Sequence, residues 1–322
     1  MSTQKPIGSG FGPATTAQEA IGQTDLTGKI AIVTGGYSGL GLETTRVLAA
    51  AGAHVVVPVR TPEKASAALA GIAGVETDSL DLTDPTSIDA FAARFIASGR
   101  PLHILVNSAG IMATPLERDA RGHESQFATN HLGHFQLTAR LWPALVAAKG
   151  ARVVSVSSRG HHIAPVDFDD IDFERRPYDK WQAYGQSKTA NALFAVGLDA
   201  RGATAGIRAF SVHPGSILSD LARHLTDEEI KAFNVYDDNG NRVVDPARGI
   251  KTVEQGAATA VWCATSPQLD GLGGLYCEDC EVSILTPADS AVRLGVKAWA
   301  VDPQASERLW QLSEKLTGAT RG

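Results

Sequence analysis

Lys29-Ile30-Ala31-Ile32-Val33-Thr34 runs directly into Gly35-Gly36-Tyr37-Ser38-Gly39-Leu40-Gly41. A short apolar run closed by glycines reads as a buried strand ending in a tight turn. Residues 40–51 are Ala-rich, carry apolar side chains at helical spacing and stop at Gly52, so the turn opens a helix. A glycine turn in that position lets backbone approach a pyrophosphate closely. The helix behind it offers unpaired N–H groups and a positive dipole end. The spacing is G-x-x-x-G-x-G, not G-x-G-x-x-G, and by itself also fits a structural turn.

The same strand, turn, helix rhythm repeats outward. Residues 54–59 form a β-branched second strand, and Thr61-Pro62-Glu63 opens a helix with proline in its first turn. Residues 75–80 read as a third strand and 102–107 as a fourth, with a helix from Asp84 to about Ser98 between them. A long helix, bent or broken on the way, is expected over residues 116–149. Further strands are expected at 152–156 and 208–212, with a last short one from 274 to 276; helices are expected at 181–202 and 254–265. Near-continuous apolar strands imply burial on both faces, and alternation with helices implies right-handed crossovers. The expected fold is α/β: a single doubly wound parallel-sheet (Rossmann) domain over residues 25–322, behind an N-terminal arm of residues 1–24. The polar, acidic stretch of about residues 216–252 breaks the rhythm and is expected to be a C-terminal substrate lid, because long irregular loops in such domains are often functional.

Composition narrows the functional class. The 322 residues are 43% hydrophobic and 20% charged, with a formal net charge of −6. That is a globular composition with a large core available, and it disfavours nucleic acid, whose binding rests on clustered Lys and Arg. No apolar run reaches the ~18–20 residues that cross a bilayer. Residues 1–23, rich in Gly, Ser, Thr and Pro, lack the apolar core and basic cluster of a signal peptide and read as a flexible or surface-wrapping arm. Cys263, Cys277 and Cys280 are too few for a disulfide scaffold, and Cys277-x-x-Cys280 comes late for a redox motif. No metal is expected, and a reducing cytoplasm fits best.

Several residues point to chemistry. An acidic residue at the end of the second strand would hold the ribose 2′-hydroxyl of NAD and repel a 2′-phosphate. Here Val59 is followed by Arg60, which can bond that phosphate, so NADP is expected ahead of NAD. Asp81, followed by Leu82, lies just past strand three, where it can meet an adenine amino group. Asn107-Ser108-Ala109-Gly110 ends strand four with small residues that admit a cofactor. Tyr184-Gly-Gln-Ser-Lys188 lies on an expected helix, so phenol and ammonium share a face. Free tyrosine titrates near ~10, an adjacent cation lowers that value, and such a phenol can exchange a proton at a carbonyl oxygen. Tyr178 lacks the cation, since Gln182 occupies the equivalent position. Ser157 and Ser158 face opposite sides of a strand. His161 and His162 point apart on an extended chain and read as loop histidines.

Thr34-Gly35…Gly39-Leu40-Gly41, Asn107-Ser108-Ala109-Gly110, Asn130, Ser157-Ser158, Tyr184…Lys188 and His213-Pro214-Gly215 together resemble the short-chain dehydrogenases/reductases in order and spacing, over residues 25–281. Tyr184-Gly-Gln-Ser-Lys-Thr-Ala-Asn191, Asn130-His-Leu-Gly-His-Phe135, Phe168-Asp-Asp-Ile-Asp-Phe173, and Gln255-Gly-Ala-Ala258 with Gly273-Gly-Leu-Tyr276 are most similar to the retinol-dehydrogenase-like branch, which includes the WW-domain-containing oxidoreductases. The resemblance implies hydride transfer between NADP(H) and a carbonyl or alcohol. It implies Tyr184 as general acid/base, and Lys188 as the group that lowers the tyrosine pKa and binds the nicotinamide ribose. Ser158 would bond the substrate oxygen, and Asn130 would hold a water in a proton relay to Lys188. Cofactor contacts are expected from Gly35, Tyr37, Ser38, Gly39, Leu40, Gly41, Arg60, Asp81, Leu82, Asn107, Ala109, Gly110, Tyr184, Lys188, Pro214, Gly215, Ile217 and Ser219, the last a serine where the family usually has threonine.

The long separation of Ser158 and Tyr184, shared with that branch, implies an extra wall over residues 161–180. Leu, Ile and Phe residues around the lid point to a lipophilic small-molecule substrate. The expected absence of a hydrophobic N-terminal anchor argues against a membrane-bound retinoid role. Family members pair long helices into dimers or tetramers, which implies a homodimer or homotetramer built on the helix of Tyr184. Two alternatives remain: a C=C double-bond reductase of the same fold, as in light-dependent protochlorophyllide reductases, and a non-catalytic NADP-binding sensor. The joint presence of Ser158, Tyr184, Lys188 and Asn130 argues against the sensor.

Overall fold

The computed structural model describes residues 2–217, 220–233, 235–237, 239–287, 289–290 and 294–321. Strands form where β-branched and small apolar residues run together. β1 (Ile30–Val33), β2 (His54–Val59), β3 (Val75–Ser79), β4 (Ile104–Asn107), β5 (Ala151–Val156), β6 (Ile207–His213) and β7 (Leu275–Glu278) are parallel, in the order β3-β2-β1-β4-β5-β6-β7. β8 (Glu281–Val282) adds antiparallel to β7, and β9 (Leu285–Thr286) pairs with β10 (Val296–Lys297) in a separate ribbon.

The helices are α1 (Ala17–Ile21), α2 (Gly39–Ala50), α3 (Pro62–Leu69), α4 (Pro85–Ala97), α5 (Ser125–Phe127), α6 (Gly133–Arg140), α7 (Trp142–Ala147), α8 (Lys180–Gly202), α9 (Asp227–Ala232), α10 (Val253–Thr265) and α11 (Pro303–Thr317). Strand alternation feeds two cores. Ala31 and Val33 pack under α2, α3 and α10, whereas Ile32 packs under α4, α6, α7 and α8. α11 lies outside α8, with Trp310 stacked on Phe194 at 6.0 Å between ring centroids. Strand order reverses between β1 and β4, so their carboxyl ends open a crevice at the topological switch point, where ligands of such sheets bind.

The sheet and its parallel pairing agree with the sequence reading; several elements do not. The single helix expected over 116–149 begins only at Ser125. Residues before it form a tight loop, in which the Asp119 carboxylate accepts from the amides of Arg121 and His123 at 2.9 and 3.0 Å. A π-turn at Ala128–Leu132 separates α5 from α6, and Pro143, which has no N–H to give, marks the restart at α7. α11 was not anticipated at all.

The arm does not hang free. Gln4 hydrogen-bonds the N–H and C=O of Tyr276 at 2.9 and 2.8 Å as a neighbouring strand would. Glu281 accepts the amides of Ile7 and Ser9 at 2.8 and 2.7 Å. Ala17, Ala20 and Ile21 of α1 then bury themselves in the α2–α10 core. Cys263, Cys277 and Cys280 are free thiols, all buried. Among the described residues no helix is long and apolar enough to cross a membrane.

Candidate active site

A groove of about 1720 Å³ follows the carboxyl ends of the strands. Its floor begins at the β1–α2 turn. Gly41 must be glycine, because a β-carbon there would collide with the Gly35 carbonyl. Ser38 caps α2 without a side-chain hydrogen bond, which leaves the first-turn amides available to an anion. Thr34 Oγ1 accepts from the amides of Ser108 and Ala109 at 2.9 and 3.0 Å and so ties the end of β4 to that of β1.

Of the expected cofactor residues, Gly35, Tyr37, Ser38, Gly39, Leu40, Gly41, Arg60, Asp81, Leu82, Ala109, Gly110, Tyr184, Lys188, Pro214, Gly215 and Ile217 all line this groove. Asn107 does not. It is buried, and its amide nitrogen points to Thr138 Oγ1 of α6 at 3.4 Å, because strand alternation turns it away from the groove. Ser219 lies outside the described residues. Arg60 is exposed and has no carboxylate partner among the described residues; Lys64, which the sequence reading passed over, lines the same end of the groove.

At the other end Ser158, Tyr184 and Lys188 converge on one wall. Tyr184 and Lys188 are each 5% exposed. Ser157 and Ser158 both line the groove, not opposite faces as expected, because β5 ends at Val156 before either of them. Ser157 donates its hydroxyl to the Lys188 carbonyl at 2.7 Å, which leaves Ser158 to the Tyr184 phenol. Lys188 Nζ donates to the Val156 carbonyl at 2.9 Å and lies 5.7 Å from the Tyr184 ring centroid.

The expectation that Lys188 lowers the tyrosine pKa is not what this geometry produces. Burial pushes the Tyr184 phenol up to about 12, against a smaller downward pull from its hydrogen bond with Ser158. Burial likewise brings the Lys188 ammonium down to about 7. Desolvation sets the direction of both shifts.

Asn130 sits inside the π-turn, off the groove. Its side chain pins Ile111 from both sides: Oδ1 accepts the Ile111 amide at 2.9 Å, and Nδ2 donates to the Ile111 carbonyl at 3.0 Å and to Ser187 Oγ at 2.9 Å. Its backbone carbonyl, freed from the regular ladder, accepts from Asn191 Nδ2 at 2.6 Å and His134 Nδ1 at 3.0 Å. A carbonyl only accepts, so His134 carries its proton on Nδ1. Its Nε2 then accepts from Thr34 Oγ1 at 2.9 Å.

Gly160 was missed by the sequence reading. It presses on the Tyr184 ring so closely that a β-carbon would lie 2.6 Å from Cε1. His161 is also no surface loop residue. It is fully buried, meets the Ser158 carbonyl through Nδ1 at 2.7 Å and accepts the Lys297 amide on Nε2 at 3.1 Å. The chain turns tightly over Arg159–His162, so the rings of His161 and His162 meet at 4.4 Å instead of pointing apart. Tyr178 is spent on structure, donating to the Thr114 carbonyl at 3.0 Å.

Of the expected wall over 161–180, only His162 and Ile163 line the groove. Val166, Phe168 and Ile171 instead pack against Leu309 of α11 and Leu193 of α8. Residues from the 216–252 stretch also line the groove, including Leu225, Ile230, Phe233 and Val235. Glu229 of α9 is held by Lys180 Nζ at 2.7 Å and by Trp181 Nε1 at 3.0 Å.

Comparison with known proteins agrees with this geometry. The sequence profile described as short chain dehydrogenase matches residues 29–230. The chain is a short-chain dehydrogenase/reductase. A "Probable oxidoreductase" of Streptomyces antibioticus is 50% identical over 294 residues, covering 89% of this chain and 97% of that protein. Human "Retinol dehydrogenase 12" is 37% identical over 301 residues, covering 91% of this chain and 87% of that one. A solved structure of an uncharacterised protein from Mycobacterium paratuberculosis superposes with a TM-score of 0.72 at 31% identity, covering 94% and 98% of the two chains. The protein is thus an oxidoreductase of a family that takes a nicotinamide cofactor.

Proposed function

We propose that this short-chain dehydrogenase/reductase is an NADP(H)-preferring carbonyl reductase and alcohol dehydrogenase for lipophilic substrates. The observation that carries the reading is the convergence of Ser158, Tyr184 and Lys188 on one wall of a groove that also holds an uncapped helix N-terminus. The preference for NADP rests on Arg60 and Lys64, two cations at the end of the groove that a 2′-phosphate would occupy. The glycine turn, the open amides of α2 and the length of the groove fit the dinucleotide. Gly35 to Gly41 would hold its pyrophosphate, and Lys188 its nicotinamide ribose. When bound, the reduced nicotinamide supplies a hydride and the oxidised form accepts one.

The protein side of the reaction follows from the wall. The Ser158 hydroxyl bonds the substrate oxygen and holds it beside the phenol. Tyr184 Oη, which is protonated at neutral pH and held more firmly so by burial, gives its proton to that oxygen as negative charge grows there. Lys188, poised near neutrality, can restore the proton. Residues 216–252 act as the lid, excluding water with Leu225, Ile230 and Phe233. These apolar side chains, with Trp181 and Ile163, favour a lipophilic substrate.

The test is NADPH and NADH consumption against a panel of aldehydes and ketones, with Tyr184→Phe as the control. Turnover that prefers NADPH and falls by orders of magnitude in the variant, while the variant still binds NADPH, supports the reading. Near wild-type turnover in Tyr184→Phe rejects it.

A further inference from the structure

Arg159 follows Ser158 directly and lines the same groove. Two constraints fix its place. Its backbone amide donates to His213 Nδ1 at 3.1 Å, and it starts the tight turn Arg159–His162. Its guanidinium lies along Gly249, where a β-carbon would come within 3.0 Å of Nη2.

Like Arg60, Arg159 has no carboxylate partner among the described residues, but unlike Arg60 it is half-buried. Arg152 on β5 is paired with Asp270 at 2.7 Å, and Arg208 on β6 with Asp199 at 2.7 Å. The nearby Lys251 is taken by Asp279 at 2.5 Å. Glu229 and Asp119, carboxylates of the groove, are held by Lys180 and Arg121. The Arg159 Nε is shielded from solvent with no hydrogen-bond partner among the described residues. A shielded N–H donor is rarely left without an acceptor, because desolvation without compensation is unfavourable. The environment is also electropositive: the charge of Arg159 helps burial hold His213 neutral.

We propose that Arg159 is a specificity-determining residue that receives a carboxylate on the substrate, so that the preferred substrates are lipophilic acids carrying an aldehyde or ketone. This deepens the carbonyl-reductase reading and rests on it. The planar guanidinium fork matches a carboxylate bidentately, which a lysine would not. Ser158 and Arg159 both line the one groove, so a single small molecule can offer its carbonyl to the first and its acid to the second. Trp181, Phe233 and Ile163 take its apolar part.

The experiment compares 4-formylbenzoate with its neutral methyl ester as NADPH-dependent substrates of the full chain, in wild type, Arg159→Leu and Arg159→Lys. Wild type is expected to favour the acid in kcat/KM by roughly ten- to a hundredfold. Arg159→Leu should erase that ratio, and Arg159→Lys should keep part of it. A structural role would lower both substrates alike; an unchanged ratio in Arg159→Leu overturns the proposal. A second readout needs no turnover: benzoate, benzamide and phenyl phosphate are titrated while tryptophan fluorescence is followed. Benzoate binding that Arg159→Leu abolishes, with none for benzamide, supports the site. No benzoate binding in wild type, or tighter binding of phenyl phosphate, overturns it. If benzoate binds through Arg159 while neither aldehyde is reduced, the anion site stands and the reductase reading falls.

Discussion

Replacing Gly160 by alanine adds one carbon, 2.6 Å from Tyr184 Cε1 and 2.9 Å from Cδ1. Non-bonded carbons settle at ~3.5–4.0 Å, so the ring must retreat by about 1 Å or the turn at Arg159–His162 must open by as much. The phenol has little room to do so, since it is buried on α8 with Trp181 edge-on at 6.3 Å. A displacement of about 1 Å at a reacting group lowers rate by roughly a hundredfold, and overpacking destabilises by about 1–3 kcal/mol. Gly160→Ala should therefore lower kcat about a hundredfold with little change in NADPH affinity and a modest drop in Tm. Steady-state NADPH oxidation, cofactor titration and thermal melting measure the three quantities. The double variant Gly160→Ala with Tyr184→Phe separates cause from coincidence: if glycine acts through the phenol, it should be no slower than Tyr184→Phe alone. A folded Gly160→Ala enzyme within threefold of wild type would refute the reasoning, as would full additivity in the cycle.

Other outcomes follow from the same geometry. Arg60→Asp should lower the NADPH-over-NADH ratio of kcat/KM by roughly ten- to a hundredfold, and Lys64→Ala by less; unchanged ratios would show that neither cation reads the phosphate. Lys188 has a folded-state pKa near 7, below its unfolded value, so the unfolded chain binds more protons between the two and stability rises with pH across that window. Lys188→Met should accordingly raise the Tm of the cofactor-free protein more at pH 6 than at pH 10, and an equal gain at both would contradict the depressed pKa. Glu229→Gln removes the charge bonded to Lys180 and Trp181, and the partly exposed pair contributes no more than about 1 kcal/mol. The substrate KM should rise up to about fivefold, with faster proteolysis around α9; unaltered proteolysis would mean that Glu229 does not hold this segment.

The parallel sheet was readable because its strands are written in β-branched residues that both faces bury: Val55, Val56 and Val57 need no partner to be recognised as strand. The catalytic spacing was readable because a helix places residues four apart on one side. Tertiary facts were not. The π-turn depends on what Asn130 bonds across the chain, at Ile111 and Ser187. The upward shift of Tyr184 and the downward shift of Lys188 come from burial, which no local pattern states. Gly160 matters only once the tyrosine ring is known to rest on it, and Arg159 only once its missing partner is visible. Asn107 was misplaced because its motif was read as a unit, although alternate residues of a strand face opposite ways. α11 was legible and went unread: Asp302 caps it, Pro303 begins it, and Leu309, Trp310 and Leu316 follow helical spacing.

The clasp between Gln4 and Tyr276 joins residues 272 positions apart. A ribosome adding about 5–20 residues per second makes the second of these roughly 15–55 seconds after the first. Through that interval the opening segment has nothing to grip, and the outer rim of β7 does not yet exist. Closure of this seam must be a late event of synthesis. A chain halted before Tyr276 would leave its beginning loose, and protease sensitivity of the first ten residues would report whether β7 has arrived.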